Sequence, residues 1–165
     1  MSTERYEEYR QRACNFAIDA LTAEVASAFT GEGIGIVVLK GPVLAKWLYP
    51  GEVRPYGDSD LMVAPENRAH AVGVLERLGF VEYCPWMPTP ACLDPGGTPF
   101  SRGGGMVDLH CQLQGLDGDP EAIWGCFAAG AERQVIGGVE LRVPGRDAVL
   151  LHVVLHAAQH AYQAD

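Results

Sequence analysis

The chain of 165 residues is short of positive charge: 12 Lys and Arg stand against 21 Asp and Glu, a formal net charge of −9. A surface this acidic repels a polyphosphate backbone, so generic binding of DNA or RNA is excluded. Long apolar runs are absent as well. None approaches the ~18 residues a membrane span needs, and no membrane partner is expected. The N-terminus, MSTERYEEYRQR, is charged from the start and holds no apolar stretch of the secretory kind. Cys-x-x-Cys is missing. The five cysteines (Cys14, Cys84, Cys92, Cys111 and Cys126) are odd in number and fit neither a disulfide framework nor a zinc knuckle. Reduced thiols and a cytoplasmic location are the expectation. Two phosphate fingerprints are also lacking. There is no Gly-x-x-x-x-Gly-Lys-[Ser/Thr], and Gly31, Gly33 and Gly35 precede a strand pattern where a dinucleotide motif would follow one.

What is present is ordinary globular material: 48 % apolar and 20 % charged residues, in a chain long enough to bury one core. Apolar residues at three- and four-residue steps predict a helix over 4–29. The run IGIVVL, residues 34–39, predicts a buried strand that ends at Lys40-Gly41-Pro42. A short helix over 43–49 follows, then a loop with Arg54, then a strand over 58–63. Pro65 opens a helix that Gly79 closes. Residues 80–83 read as a short strand.

Residues 84–105 hold five of the eleven prolines and five of the twenty glycines, and read as a lid-like loop. Residues 106–113, MVDLHCQL, alternate clearly and predict a strand. A short capped helix at 119–127, a hairpin around Gly137-Gly138 and a last helix over 146–162 complete the order. This order predicts an α+β fold: a small mixed sheet with helices packed on one side, in a single domain over 1–165. Its parts are an N-terminal helix (4–29), a core (34–143) interrupted by the loop, and the C-terminal helix.

Three places carry chemistry. Asp58 and Asp60 share one face of a strand, roughly 6.5–7 Å apart at Cα by the strand rise, while Ser59, Leu61 and Val63 face the core. Such a pair can hold Mg²⁺, or its carboxylates can accept backbone N–H bonds in a turn. Asp108, His110 and Gln112 share a face of a later strand, as on a strand lining a cleft or on a half-solvated edge. Lys40-Gly41 at a strand-to-helix turn offers backbone N–H groups to an anion, or is a plain turn. His152, His156 and His160 form a stripe at four-residue spacing, either the polar face of the last helix or a border of the cleft. Trp86 in the loop is a stacking or a packing residue.

A Gly turn after the first strand, Asp-x-Asp on the next and an Asp on a later one resemble the nucleotidyltransferase superfamily, which includes polymerase β and the aminoglycoside nucleotidyltransferases. The stretch VLKGPVLAKWLYPGEVRPYGDSDLMV, with VDLHCQL and LLHVVLHAAQH, is more closely similar to a family of largely uncharacterised bacterial nucleotidyltransferases. Its marks are Lys-Gly, an Arg shortly before Asp-x-Asp, and Asp-x-His. The resemblance covers roughly residues 34–162, and relatives generally continue with further helices. Pro42 departs from the Ser or Gly common in the superfamily and removes an N–H.

The resemblance implies that Asp58, Asp60 and Asp108 are catalytic and hold Mg²⁺. It implies that a nucleoside triphosphate, ATP by expectation, is the co-substrate, contacted by Lys40, Gly41, Arg54 and Ser59. An acceptor hydroxyl on a small molecule attacks the α-phosphorus, with Asp108 as base. His110 would orient the acceptor. Read from its own loop, SRGGG, Arg102 closes over phosphate or the glycines only make the loop mobile. Alternatives are transfer to a hydroxyl of a partner protein, as in antitoxin-like relatives, or a non-catalytic nucleotide-binding scaffold. A homodimer is a further expected way to complete the acceptor wall.

Overall fold

The computed structural model describes residues 2–83 and 97–162, with 159–162 described by backbone alone. Helix α1 (Thr3–Gly31) starts where Ser2 accepts a hydrogen bond from the backbone N–H of Arg5. Strand β1 (Ile36–Val38) leads through a turn into α2 (Pro42–Leu48), and β2 (Ser59–Val63) leads through a 3₁₀ turn at Pro65–Asn67 into α3 (Arg68–Arg77). Strands β3 (Val81–Glu82), β4 (Thr98–Arg102) and β5 (Gly105–His110) follow, then α4 (Pro120–Ala129). A hairpin of β6 (Glu132–Ile136) and β7 (Val139–Val143) precedes α5 (Arg146–Tyr162).

The sheet order is β1-β2-β5-β4-β3. The β2–β5 pair is parallel and the other pairs are antiparallel, so the sheet is mixed, as expected. Period-two alternation sorts the side chains. Leu61, Val63, Val107 and Leu109 face α1 and α3, where they meet Val25, Phe29, Ala71 and Leu75 in one cluster. Phe29, Phe80 and Phe100 are fully buried, and truncating such a ring costs about 3–5 kcal/mol. The opposite face is divided. One part is apolar, where Val37, Leu39 and Met62 meet Leu113 and Phe127 of α4. The other part is polar and carries Asp60, Asp108 and His110.

One expectation needs correcting. The irregular stretch read over 84–105 ends earlier, because residues 98–102 are a strand inside the sheet, joined to β5 by a two-residue turn. Gly103 (φ +56°) and Gly104 (φ +87°) supply the positive dihedrals that such a turn demands. Proline density argued against a strand, but Pro99 turns its ring nitrogen toward the two-residue β3 side. There its carbonyl accepts from Tyr83 N at 2.7 Å, so the missing N–H falls where little pairing exists. Residues 84–96, with Trp86, lie outside the described residues. No helix among the described residues is long and apolar enough to cross a membrane.

Candidate active site

The parallel register of β2 and β5 sets Asp60 opposite Asp108. Adjacent strands lie about 4.8 Å apart, so two side chains on the same face at one register position are neighbours. Asp60 is 3 % exposed and His110 2 %. Asp60 Oδ1 accepts from Lys40 Nζ at 2.8 Å and faces His110 Nε2 at 3.1 Å. One ligand atom from each of Asp60, Asp108 and His110 falls within 4.8 Å of the others. Asp58 stands just before β2, half-buried, and lines the same cleft with Lys40, Gly41, Arg54, Asp60 and His156. It does not belong to the tight group of three.

The carboxyls differ in acidity for stated reasons. Burial alone would raise Asp60, but the hydrogen bond and charge of His110, and then Lys40, outweigh it and bring the carboxyl down to about 2. Asp108 is raised to about 6, by burial first and then by the negative charge of Asp60. Asp58 is raised by burial and by Asp60. Asp58, Asp60 and Asp108 thus perturb one another, with Lys40 and His110 offsetting their charge. Asp108 Oδ1 is buried without a hydrogen-bond partner, and so is one terminal nitrogen of Arg54. Buried polar atoms are nearly always paired in native proteins, so these orphans mark where a ligand completes the site. An orphaned carboxylate oxygen beside a second carboxylate fits a divalent cation held by Asp60 and Asp108.

Local structure positions each group. At Gly41 (φ +42°, ψ −108°) the chain turns sharply into α2, in a backbone region that side chains rarely enter. Pro42 has no N–H and Val43 N bonds Lys40 O at 2.9 Å, so an anion at this turn relies on Gly41 N–H and on cationic side chains. Helix α1 grips the segment leading into β2, a role the sequence reading did not give it. Asn15 Nδ2 donates to Arg54 O at 2.8 Å and Asn15 Oδ1 accepts from Tyr56 N at 3.3 Å. Tyr56 OH donates to Asp19 Oδ1 at 2.8 Å. Asn15 and Asp19 are half-buried at helical spacing from the buried Thr22, on the side of α1 that carries Ile18, Val25 and Phe29.

Two expected site residues lie elsewhere. Ser59 is buried on the α1 face, and its Oγ shares a 2.7 Å hydrogen bond with Thr22 Oγ1. It therefore ties β2 to α1 and cannot contact a nucleotide on the other face. Arg102 pairs with Glu24 at 2.6 Å, donates to Leu78 O at 2.9 Å and stacks over the Phe80 ring at 4.5 Å. Held there, on the side of α1 and α3, it does not close over the cleft. The histidine stripe resolves toward the cleft. His152 and His156 line a cavity of ≈ 180 Å³ between α2 and α5, with Leu44, Leu48, Val149 and Val153. Burial, then the charges of Lys40 and His110, bring His152 down to about 4, so it stands neutral at pH 7. The side chain of His160 lies outside the described ones.

Gly97, with φ +95°, lies against the His110 ring. A Cβ built there would fall 2.5 Å from Cε1 and 2.8 Å from Nδ1 of that ring. Gly97→Ala is therefore expected to destabilise the fold by about 1–3 kcal/mol, as overpacking does. Because the ring stands against Asp60 Oδ1 at 3.1 Å, the variant should also weaken cation-dependent thermal stabilisation. Wild-type behaviour in a thermal melt with and without divalent cation would remove this reading of Gly97.

A mixed sheet that sets two carboxylates side by side, next to a Gly turn flanked by Lys40 and Arg54, defines a nucleotidyltransferase type of fold and site. The chain belongs to the family of uncharacterised nucleotidyltransferases, whose model matches residues 3–165. It is thus an enzyme of the nucleotidyltransferase class. Solved structures share the fold. The antibiotic-resistance factor ANT(2'')-Ia superposes with a TM-score of 0.59 at 15 % identity, over 86 % of this chain and 72 % of that one. The same factor in complex with adenylyl-2''-tobramycin gives 0.57 at 16 %, over 86 % and 76 %. The lincosamide antibiotic adenylyltransferase LnuA, lincomycin-bound, gives 0.50 at 16 %, over 78 % and 80 %. No curated protein matches the chain.

Proposed function

We propose that the protein transfers a nucleoside monophosphate, AMP from ATP, to a hydroxyl group of a small molecule in a divalent-cation-dependent reaction, Mg²⁺ being the expected cation. The observation that carries this reading is the register pairing of Asp60 with Asp108, which leaves a buried Asp108 oxygen unpartnered next to Asp60, itself on the cleft that Lys40 and Arg54 line. Asp60, Asp108 and Asp58 would hold the cation. When bound, it would neutralise charge on the phosphoryl oxygens and make the acceptor hydroxyl more acidic. Lys40 and Arg54 orient the triphosphate, and the guanidinium of Arg54 suits a bidentate phosphate contact. Asp108 would take the acceptor proton as the hydroxyl attacks the α-phosphorus.

A small-molecule acceptor is supported by the cavity that adjoins this cleft. Its ≈ 180 Å³ admit one ring system, since about 150 Å³ suffices for a benzene-sized ring. Its described lining contains Lys40, Arg54, His152 and His156 and no carboxylate. That lining suits an uncharged or anionic ligand with an apolar ring and disfavours a polycation. The adenylylated product in one related fold, adenylyl-2''-tobramycin, supports adenylyl transfer in kind, and this lining argues for a different acceptor. Among the described residues Cys14 and Cys126 are free thiols, which fits a cytoplasmic setting.

The test is incubation with each α-labelled nucleoside triphosphate, divalent cation and a deproteinised cell extract. Label should appear in a small-molecule product with ATP, and pyrophosphate should be released. Label confined to a protein band, when whole extract is used instead, would replace the small-molecule acceptor with a protein one. Absence of both turnover and nucleotide-dependent thermal stabilisation, with every triphosphate, would overturn the reading.

A further inference from the structure

We propose that His110 is itself a ligand of the cation held by Asp60 and Asp108, and that the centre therefore selects Mn²⁺ over Mg²⁺. This rests on the cation-dependent part of the function proposed above and not on its nucleotide or acceptor.

The geometry comes first. Ligand atoms of Asp60, Asp108 and His110 lie within 4.8 Å of one another. Ligands at about 2.0–2.2 Å from one cation span at most roughly 4.4 Å, so the three groups stand close to the size of a coordination shell. His110 is 2 % exposed and its Nε2 faces the carboxylate that would bind the cation. Its Nδ1 has no hydrogen-bond partner, and neither does Asp108 Oδ1. Gly97, packed on the ring, leaves it little freedom to turn away.

Chemistry then sets the preference. Carboxylates and water suit Mg²⁺, Ca²⁺ and Mn²⁺ alike, whereas imidazole is a ligand for first-row transition cations. Mn²⁺ keeps the oxygen-rich octahedral shell that phosphate chemistry needs and also accepts a nitrogen. Lys40, now on Asp60 Oδ1 at 2.8 Å, is the group such a cation would displace.

The experiment measures cation binding to the full chain without nucleotide, by Mn²⁺ EPR titration with Mg²⁺ as competitor, for wild type, His110→Gln and Asp60→Asn. Gln keeps a hydrogen-bond donor toward Asp60 but removes the imidazole. Wild type should bind Mn²⁺ at least about tenfold more tightly than Mg²⁺, and His110→Gln should lose that preference while Mg²⁺ binding stays within about threefold. Asp60→Asn should lose both cations. Pulsed EPR of Mn²⁺-loaded wild type should show coupling to an imidazole nitrogen, a readout that holds even if the Gln variant folds poorly. An Mn²⁺ preference unchanged in His110→Gln, or no nitrogen coupling in wild type, overturns the assignment and leaves His110 as a positioning residue. Equal affinity of wild type for the two cations overturns it while leaving cation-dependent transfer standing. Failure of the chain to bind either cation removes both.

Discussion

Asp60→Asn is expected to lower nucleotidyl transfer by about 10³-fold, the scale of losing a group that stabilises developing charge in the transition state. The same substitution should loosen the fold. The Asp60 carboxyl sits at about 2 against an ordinary 3.8, because His110 and Lys40 favour its charged form over the opposing effect of burial. Its stabilisation is therefore fully present above pH 3.8 and is lost as the pH falls toward 2. At pH 7 this amounts to about 2 kcal/mol, which the neutral amide gives up. Asn also leaves Lys40 without its ion-pair partner at a site where its side chain is only 21 % exposed. Denaturant melts at pH 7 should show the loss. The gap between wild type and variant should narrow as the pH is lowered below 3.8. A variant as stable as wild type would mean that the Lys40–Asp60–His110 cluster contributes nothing net.

The part of this site legible in the sequence is the part written in period two. Asp60 and Met62 share a face of β2, and Asp108 and His110 share a face of β5, because alternation on a strand is a local property. That β2 and β5 are neighbours is not local. Residues 64–104 separate the two strands in sequence, and the intervening β4 and β3 take the next positions outward. Only the resemblance to nucleotidyltransferases supplied that adjacency. Ser59 shows the same limit from the other side. Parity turned it toward the core, and its buried bond to Thr22 agrees with parity and not with a nucleotide contact.

Arg102 failed for a different reason. Read as part of a glycine-rich loop, it had no fixed direction. As the last residue of β4 its side chain is committed to Glu24 and the Phe80 ring. A proline at 99 hid the strand, since only the pairing partner shows which side of the backbone lacks its donor. The α1 ladder of Asn15, Asp19 and Thr22 was hidden because polar residues on a helix are ordinarily read as its solvated face. Each miss concerns the partner of a group and not its local conformation.

Asp108→Asn is the counterpart of Asp60→Asn, with the stability sign reversed. Burial and the charge of Asp60 raise the Asp108 carboxyl to about 6. A raised acid favours its neutral form in the fold, so its stabilising effect is complete below pH 3.8 and is lost as the pH rises through about 6. At pH 7 the ionised group is a liability. The Asn substitution removes it and should stabilise the cation-free protein by about 1 kcal/mol, once solvent reaching a half-buried carboxylate is allowed for. Transfer should nevertheless fall by about 10³-fold, since the group that takes the acceptor proton is gone. Divalent cation separates this from a merely structural role. Ionised Asp108 is the unpartnered oxygen the cation would bind, so wild type should gain thermal stability on adding cation and the Asp108→Asn variant should gain much less. The order of the two melting temperatures should then reverse: Asp108→Asn higher without cation, wild type higher with it. A variant that melts below wild type in both conditions would show that the Asp108 charge is already neutralised within the fold, and that the carboxylate pair is not held apart for a cation.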